Sequence, residues 1–214
     1  MREFGFDNRI YTEEEYLEMD EKSEVPLEFY DGIIVPRGGG SLMNPHAMAG
    51  ATEKHVSLAS QFARALNNRL DDSKCQAGQS DLRVKVQDSK KFYYPDVAVW
   101  CDDARFEDKA RRTLLTPLVI VEVLSASTAH IDRGSKLEIY QQIPTLLDYL
   151  LVSQNRVYIA HYRRLEGERW ENVSYYQRDQ IIRLGALQLE IPVGEIYRRV
   201  DVPEQLVIFE IGDD

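Results

Sequence analysis

The sequence predicts an α/β (α+β) domain, a mixed β-sheet with one long helix packed across it. Two observations carry this. Helical and strand-like segments follow one another as helix, strands, helix, strands, with no repeat and no linker long enough to split 214 residues. One segment, "HAMAGATEKHVSLASQFARALNNRL", sets His55, Leu58, Ala59, Phe62 and Leu66 on a single face at three- and four-residue steps, and is the longest helical pattern in the chain.

The elements follow in order. In "YTEEEYLEM", Thr12 with Glu15 three residues on forms a capping box that opens a short helix. "LEFYDGIIVP" alternates and turns at Asp31-Gly32, the pattern of a hairpin. "RGGGSLMNP" is a loop whose glycines lack the Gly-Lys-Ser/Thr of a phosphate loop. Beyond the long helix, strands are expected over 82–86, 96–100, 118–123, 148–152 and 157–162, interrupted by a short helix near 135–142. "RWENVSYYQ", "QIIRLG" and "LQLEI" read as a further short-stranded meander, "VGEIYRRV" as a last helical turn and "EIGDD" as a frayed end.

Composition bounds the function. With 43% hydrophobic and 29% charged residues the chain is ordinary for a globular protein, and its net charge of −10 argues against non-specific coating of nucleic acid. A local basic groove is still open to Lys90-Lys91, Arg111-Arg112, Arg163-Arg164 and Arg198-Arg199, which otherwise are solvated surface. No apolar run reaches a membrane span, the start lacks the basic-then-apolar pattern of a secretory signal, and Cys75 and Cys101 have neither metal-type spacing nor the number for a disulfide framework. The expectation is a reduced, cytoplasmic protein without membrane association.

The chemistry gathers around acids in strands. Asp96, after Pro95, opens the strand of "YYPDVAVW", and Glu122 interrupts the apolar run "LVIVEVL". Stripping water from a carboxylate costs several kcal/mol unless something compensates (roughly, in an apolar setting). Two carboxylates on neighbouring strands repel unless a cation lies between them, and Mg²⁺, which prefers oxygen ligands, is the natural one, with Mn²⁺ as a substitute. The carbonyl of Val123 offers a third oxygen. In "GSKLEIYQQI", Lys136, Tyr140 and Ile143 form one stripe, so Lys136 either reaches inward to an anion, pairs with Asp132, or snorkels to the surface. His55 is either a hydrogen-bonded core histidine or a site residue, and Glu28 either an inward-facing acid or a surface strand residue.

These residues resemble the Uma2 family of restriction-type endonucleases in the PD-(D/E)XK superfamily. The likeness runs through "LEFYDGIIV", "HVSLASQFARAL", "SDLRVKV", "YYPDVAVWCD", "LVIVEVLSASTAHIDRGSKLEIYQQIPTLLDYLLV" and "VYIAHYRR", and "VEVLSAST" followed by "DRGSKLEIY" is its specific part. The resemblance implies a restriction-endonuclease-like mixed β-sheet flanked by helices, with a short-stranded C-terminal meander. The length and the pass along the chain give one domain over 1–214, with an N-terminal helical segment over 1–25 and a tail over 201–214. The superfamily pattern is an acid after proline, then acid-any-lysine on the next strand. Asp96 matches the first acid and Glu122 the second. Leu124 stands where the lysine belongs, and Lys136 on the following helix is the migrated candidate. The resemblance thus implies Asp96, Glu122, Lys136 and His55 as catalytic residues, and Asp96, Glu122, Val123 and Glu28 as metal ligands. It implies DNA as substrate, with Mg²⁺ as the cofactor that the paired carboxylates already suggest, and a homodimer is expected because two related sites cut both strands of a duplex most easily. Two rival readings remain: a non-catalytic nuclease-fold module that binds nucleic acid or a partner protein, and a hydrolase of small phosphorylated molecules.

Overall fold

A computed structural model describes residues 9–37, 51–79, 81–86, 89–124 and 135–204. Helix α1 (Glu13–Lys22) starts on the expected capping box: Thr12 accepts from Glu15 N–H, and the Glu15 carboxylate accepts from Thr12 N–H. Strands β1 (Leu27–Tyr30) and β2 (Ile33–Pro36) form the expected hairpin. Its two turn residues have positive φ, 51° at Asp31 and 91° at Gly32, the pairing that a two-residue turn between twisted strands requires. Helix α2 (Glu53–Leu70) has Thr52 as N-cap, and residues 46–50 of the expected helix lie outside the described residues.

The chain continues through β3 (Cys75–Gln79), β4 (Arg83–Lys85), β5 (Lys91–Tyr93), β6 (Val97–Cys101), β7 (Thr113–Leu114) and β8 (Val119–Leu124). Helix α3 (Ser135–Tyr140) precedes β9 (Asp148–Ser153), β10 (Ile159–Arg164) and β11 (Trp170–Tyr175), and the described chain ends with β12 (Ile181–Leu184), β13 (Leu189–Pro192) and helix α4 (Val193–Ile196).

Among the described residues the strands make two larger sheets and one hairpin, where one central sheet was expected. A six-stranded sheet runs β11-β10-β9-β8-β6-β3, a five-stranded sheet runs β2-β1-β5-β4-β7, and β12 pairs only with β13. Both larger sheets are mixed, through the parallel pairs β8–β9 and β4–β7. The extra strands β3, β5 and β7 are short or polar and carry little periodicity of their own, so pairing with a neighbour decides them. The C-terminal segments divide: β11 extends the six-stranded sheet beside β10, and only β12 and β13 stand apart.

Strand alternation sorts side chains into layers. On one face of the six-stranded sheet, Val97, Val99, Val121 and Val123 pack against Leu58, Phe62 and Leu66 of α2 and against the β12–β13 hairpin and α4. On the other, Ala98, Ile120 and Leu124 pack against Tyr140 and Ile143 at α3 and against Val84, Tyr93 and Leu114 of the five-stranded sheet. The far face of that second sheet is covered by α1, with Tyr16 stacked on Phe29 at 4.9 Å between ring centres. Cys75 and Cys101, directly opposite each other on β3 and β6, are joined by a disulfide; the expectation of two reduced cysteines is corrected by this cross-strand register, which no sequence spacing reveals. No helix among the described residues is long and apolar enough to cross a membrane.

Candidate active site

The site lies where β6 begins and β8 ends, between the N-terminus of α2 on one face of the six-stranded sheet and α3 on the other. The last recorded β6–β8 pair is Val97↔Val121, so one further step of the register sets Asp96 across from Glu122. Pro95 offers no N–H to continue the ladder. The Asp96 carboxylate does continue it: Oδ2 accepts the backbone N–H of Val123 at 2.7 Å. Within a strand a residue's N–H and C=O lie on the same edge, so the Val123 carbonyl also faces the β6 side.

Asp96 Oδ1 has two further partners. It accepts from Arg37 Nη2 at 2.5 Å and from His55 Nε2 at 3.0 Å. Asp96 is buried, and burial works to raise its pKa. The hydrogen bond and charge of His55, the Arg37 guanidinium and the Val123 N–H outweigh that penalty and hold the carboxyl below its ordinary value. His55 is placed for this by a chain of contacts. Thr52 Oγ1 accepts from His55 N–H at 3.2 Å and donates to Gln154 Oε1 at 2.5 Å, and Gln154 Nε2 donates to the Leu124 carbonyl at 2.9 Å. Gln154, just beyond β9, thus ties the start of α2 to the end of β8.

Glu122, Glu28 and Lys136 form the second half. β1 sends Leu27 and Phe29 toward α1, so alternation turns Glu28 to the face that meets α3. Lys136 Nζ lies 3.0 Å from Glu28 Oε1 and 3.5 Å from Glu122 Oε1, and stands 5.3 Å from the centre of the Tyr93 ring. All three side chains are at most 9% exposed, so neither the surface-strand reading of Glu28 nor the snorkelling reading of Lys136 holds; Asp132 lies outside the described residues. Tyr140 donates to Glu122 at 3.2 Å, and burial together with the Glu122 charge pushes this phenol well above its ordinary pKa. Arg164 holds the end of α3 by donating to the carbonyls of Gln141, Ile143 and Leu146 at 2.6–2.8 Å.

Among the described residues the site therefore sets three carboxylates, Asp96, Glu122 and Glu28, against two permanent cations, Arg37 and Lys136. His55 adds a third charge only when protonated. No three His, Cys, Asp or Glu side chains among the described residues converge into a metal-holding group. The donors still fit Mg²⁺, which is commonly held by one or two carboxylates and keeps water in its other positions. Asp96 and Glu122 would supply those carboxylates, and the edge carrying the Val123 carbonyl a further oxygen.

Sequence reasoning missed Arg37, Gln154 and Tyr140 at the site. Tyr140 lies on the buried stripe, whose spacing by itself assigns it no role at the site. The polar "SQN" after an apolar strand was a signal for Gln154; nothing local pointed to Arg37. The basic doublets are largely absorbed: Arg112 pairs with Glu21, Arg163 with Glu171 and Lys91 with Asp31, while Arg164 is spent on carbonyls.

A mixed sheet with acids gathered at one end and helices on both faces is the architecture of a nuclease-like fold. A crystal structure described as a "putative nuclease belonging to DUF820" from Anabaena variabilis shares that fold at a TM-score of 0.69, covering 87% of this chain and 97% of that one at 15% identity. The chain belongs to the Uma2 family, described as "Putative restriction endonuclease", whose profile matches residues 13–194. Two uncharacterized Synechocystis proteins are similar along most of their length. Protein slr1290 is 34% identical over 185 residues, 86% of this chain and 90% of its own. Protein sll1609 is 32% identical over 162 residues, 76% of this chain and 85% of its own. Family and fold together support a nuclease.

Proposed function

We propose that the protein is a Mg²⁺-dependent endonuclease that hydrolyses phosphodiester bonds in DNA. The observation that supports this reading is the register that sets Asp96 across from Glu122 on adjacent strands at one end of the six-stranded sheet, with Lys136 of the following helix 3.5 Å from Glu122. Asp96 and Glu122 would hold the ion, with the Val123 carbonyl as a further oxygen and Glu28 reaching it through water. A bound Mg²⁺ supplies Lewis acidity and lowers the pKa of coordinated water. Asp96, kept ionised by its hydrogen bonds, is ready to bind a cation at neutral pH. Lys136 orients the attacking water or stabilises charge that develops on the phosphate. His55 positions a water or substrate oxygen from the opposite side. A homodimer with two such sites suits cleavage of both strands of a duplex, and the cytoplasm is its proposed location.

The test is plasmid cleavage with Mg²⁺ by Asp96→Asn and Glu122→Gln, with circular dichroism to verify folding. Both variants are expected to be inactive, and metal-dependent cleavage by a purified double variant would rule the site out. One observation favours a non-catalytic module instead: Asp96 is already paired with Arg37 and hydrogen-bonded to the Val123 N–H. Calorimetric titration with Mn²⁺ separates the two, because the module predicts no uptake. Parallel assays on single-stranded DNA, RNA and small phosphodiesters assign the substrate.

A further inference from the structure

Arg37 is a charged site residue that the proposed reaction leaves unused. It follows β2 directly, and its backbone N–H donates to the Pro26 carbonyl at 2.8 Å, so its Cα is pinned to the end of the hairpin. From the five-stranded sheet its side chain crosses to Asp96 in the six-stranded sheet. The Arg37 side chain is 22% exposed while the Asp96 side chain is 5% exposed, so the pair has one end in the site and one at its mouth.

A carboxylate offers about four lone-pair positions. On Asp96, Val123 N–H takes one on Oδ2, and His55 and Arg37 share Oδ1. That leaves one position, on Oδ2, for an ion shared with Glu122, and an ion there lies beside the charge that Arg37 already sets on the same carboxylate. Val123 N–H belongs to the strand backbone and cannot leave without breaking the sheet edge. His55 is tied through Thr52 and Gln154 to Leu124 and can be neutral. Arg37 is the partner with a permanent charge and a long side chain, and a divalent cation arriving on the same carboxylate repels it.

We infer that Arg37 is an exchangeable counter-ion of Asp96: it neutralises the buried carboxylate when no metal is bound, gives way to the divalent cation, and then presents its guanidinium to the DNA backbone. A displaced guanidinium at the mouth is a planar fork that matches a phosphodiester. This rests on the metal-binding reading of the site, and it makes Arg37 a positioning residue whose effect appears in ion affinity before any chemistry.

The experiment is calorimetric titration of the full chain with Mn²⁺, comparing wild type, Arg37→Gln and Arg37→Lys. Loss of the competing charge is expected to tighten Mn²⁺ binding about tenfold in Arg37→Gln, while Arg37→Lys stays close to wild type. A second arm measures binding to a duplex in saturating Ca²⁺, by anisotropy across salt concentrations. Arg37→Gln is expected to flatten the salt dependence by about one phosphate contact. Mn²⁺ uptake by the wild type with unchanged affinity in Arg37→Gln overturns the inference and leaves the metal site standing. No uptake by any of the three proteins overturns the metal site and the inference together. An unchanged salt slope refutes the hand-over to DNA.

Discussion

Replacing Lys136 with methionine tests whether Glu28 and Glu122 are held by this ammonium. Methionine keeps the length and flexibility of the side chain and removes the charge. In the structure the change leaves Glu28 and Glu122, each at most 9% exposed, facing one another without the cation 3.0 Å and 3.5 Å away. Breaking a buried ion pair by removing one partner costs about 3–5 kcal/mol. For a chain of this size that lowers the melting temperature by roughly 6–20 °C. Scanning calorimetry in EDTA at neutral pH reads it directly. Adding Glu28→Gln removes one of the two stranded charges and is expected to recover a good part of the loss. A Lys136→Met protein that melts within about 2 °C of wild type, or a double variant no more stable than the single one, would refute the electrostatic account of the site.

Further outcomes concern the frame. Asp20 accepts from Leu27 N–H, Arg83 Nη1 and Tyr94 Oη at 2.8, 2.5 and 2.6 Å, so Asp20→Ala strands a mostly buried arginine and is expected to cost about 3–5 kcal/mol in urea denaturation. Gln154→Ala removes both contacts that tie α2 to β8; cleavage is expected to fall more than stability, checked by kcat alongside melting temperature. A Cβ on Gly78 would meet the Trp100 ring at 2.6 Å, so Gly78→Ala forces the ring aside at about 1–3 kcal/mol, visible as a shift in tryptophan fluorescence. The Arg69 hydrogen bonds hold Glu195 below the ordinary carboxylate range. A lowered folded-state pKa contributes stability above the unfolded value and loses it as pH falls through the folded one. Glu195→Gln is therefore expected to melt below wild type at neutral pH, with the difference closing in acid.

The site was legible unevenly. Asp96 and Glu122 stood out because a carboxylate beside or inside an apolar strand needs a partner, while the pairing of β6 with β8 that makes them neighbours came from the tertiary structure. Lys136 was readable from its place on a buried stripe, although an inward anion, Asp132 and the surface were all open to it. That stripe faces Glu28 because β1 belongs to a second sheet lying over α3, an arrangement that no local pattern records. Arg37 was invisible for the same reason: it stands 59 positions from Asp96 and meets it only across the gap between sheets.

Local physics settled the capping box at Thr12 and Glu15, the Asp31-Gly32 turn, the apolar face of α2 and the buried character of β8 and β9, since each depends on residues within a few positions of one another. Tertiary structure alone divided the strands into two sheets, drew β11 into the larger one, opposed Cys75 to Cys101, and chose which cation meets which acid. Those choices are set by strand pairing and by long side chains that reach between layers. Their energies arise between segments far apart in the chain, where residue order carries no distance.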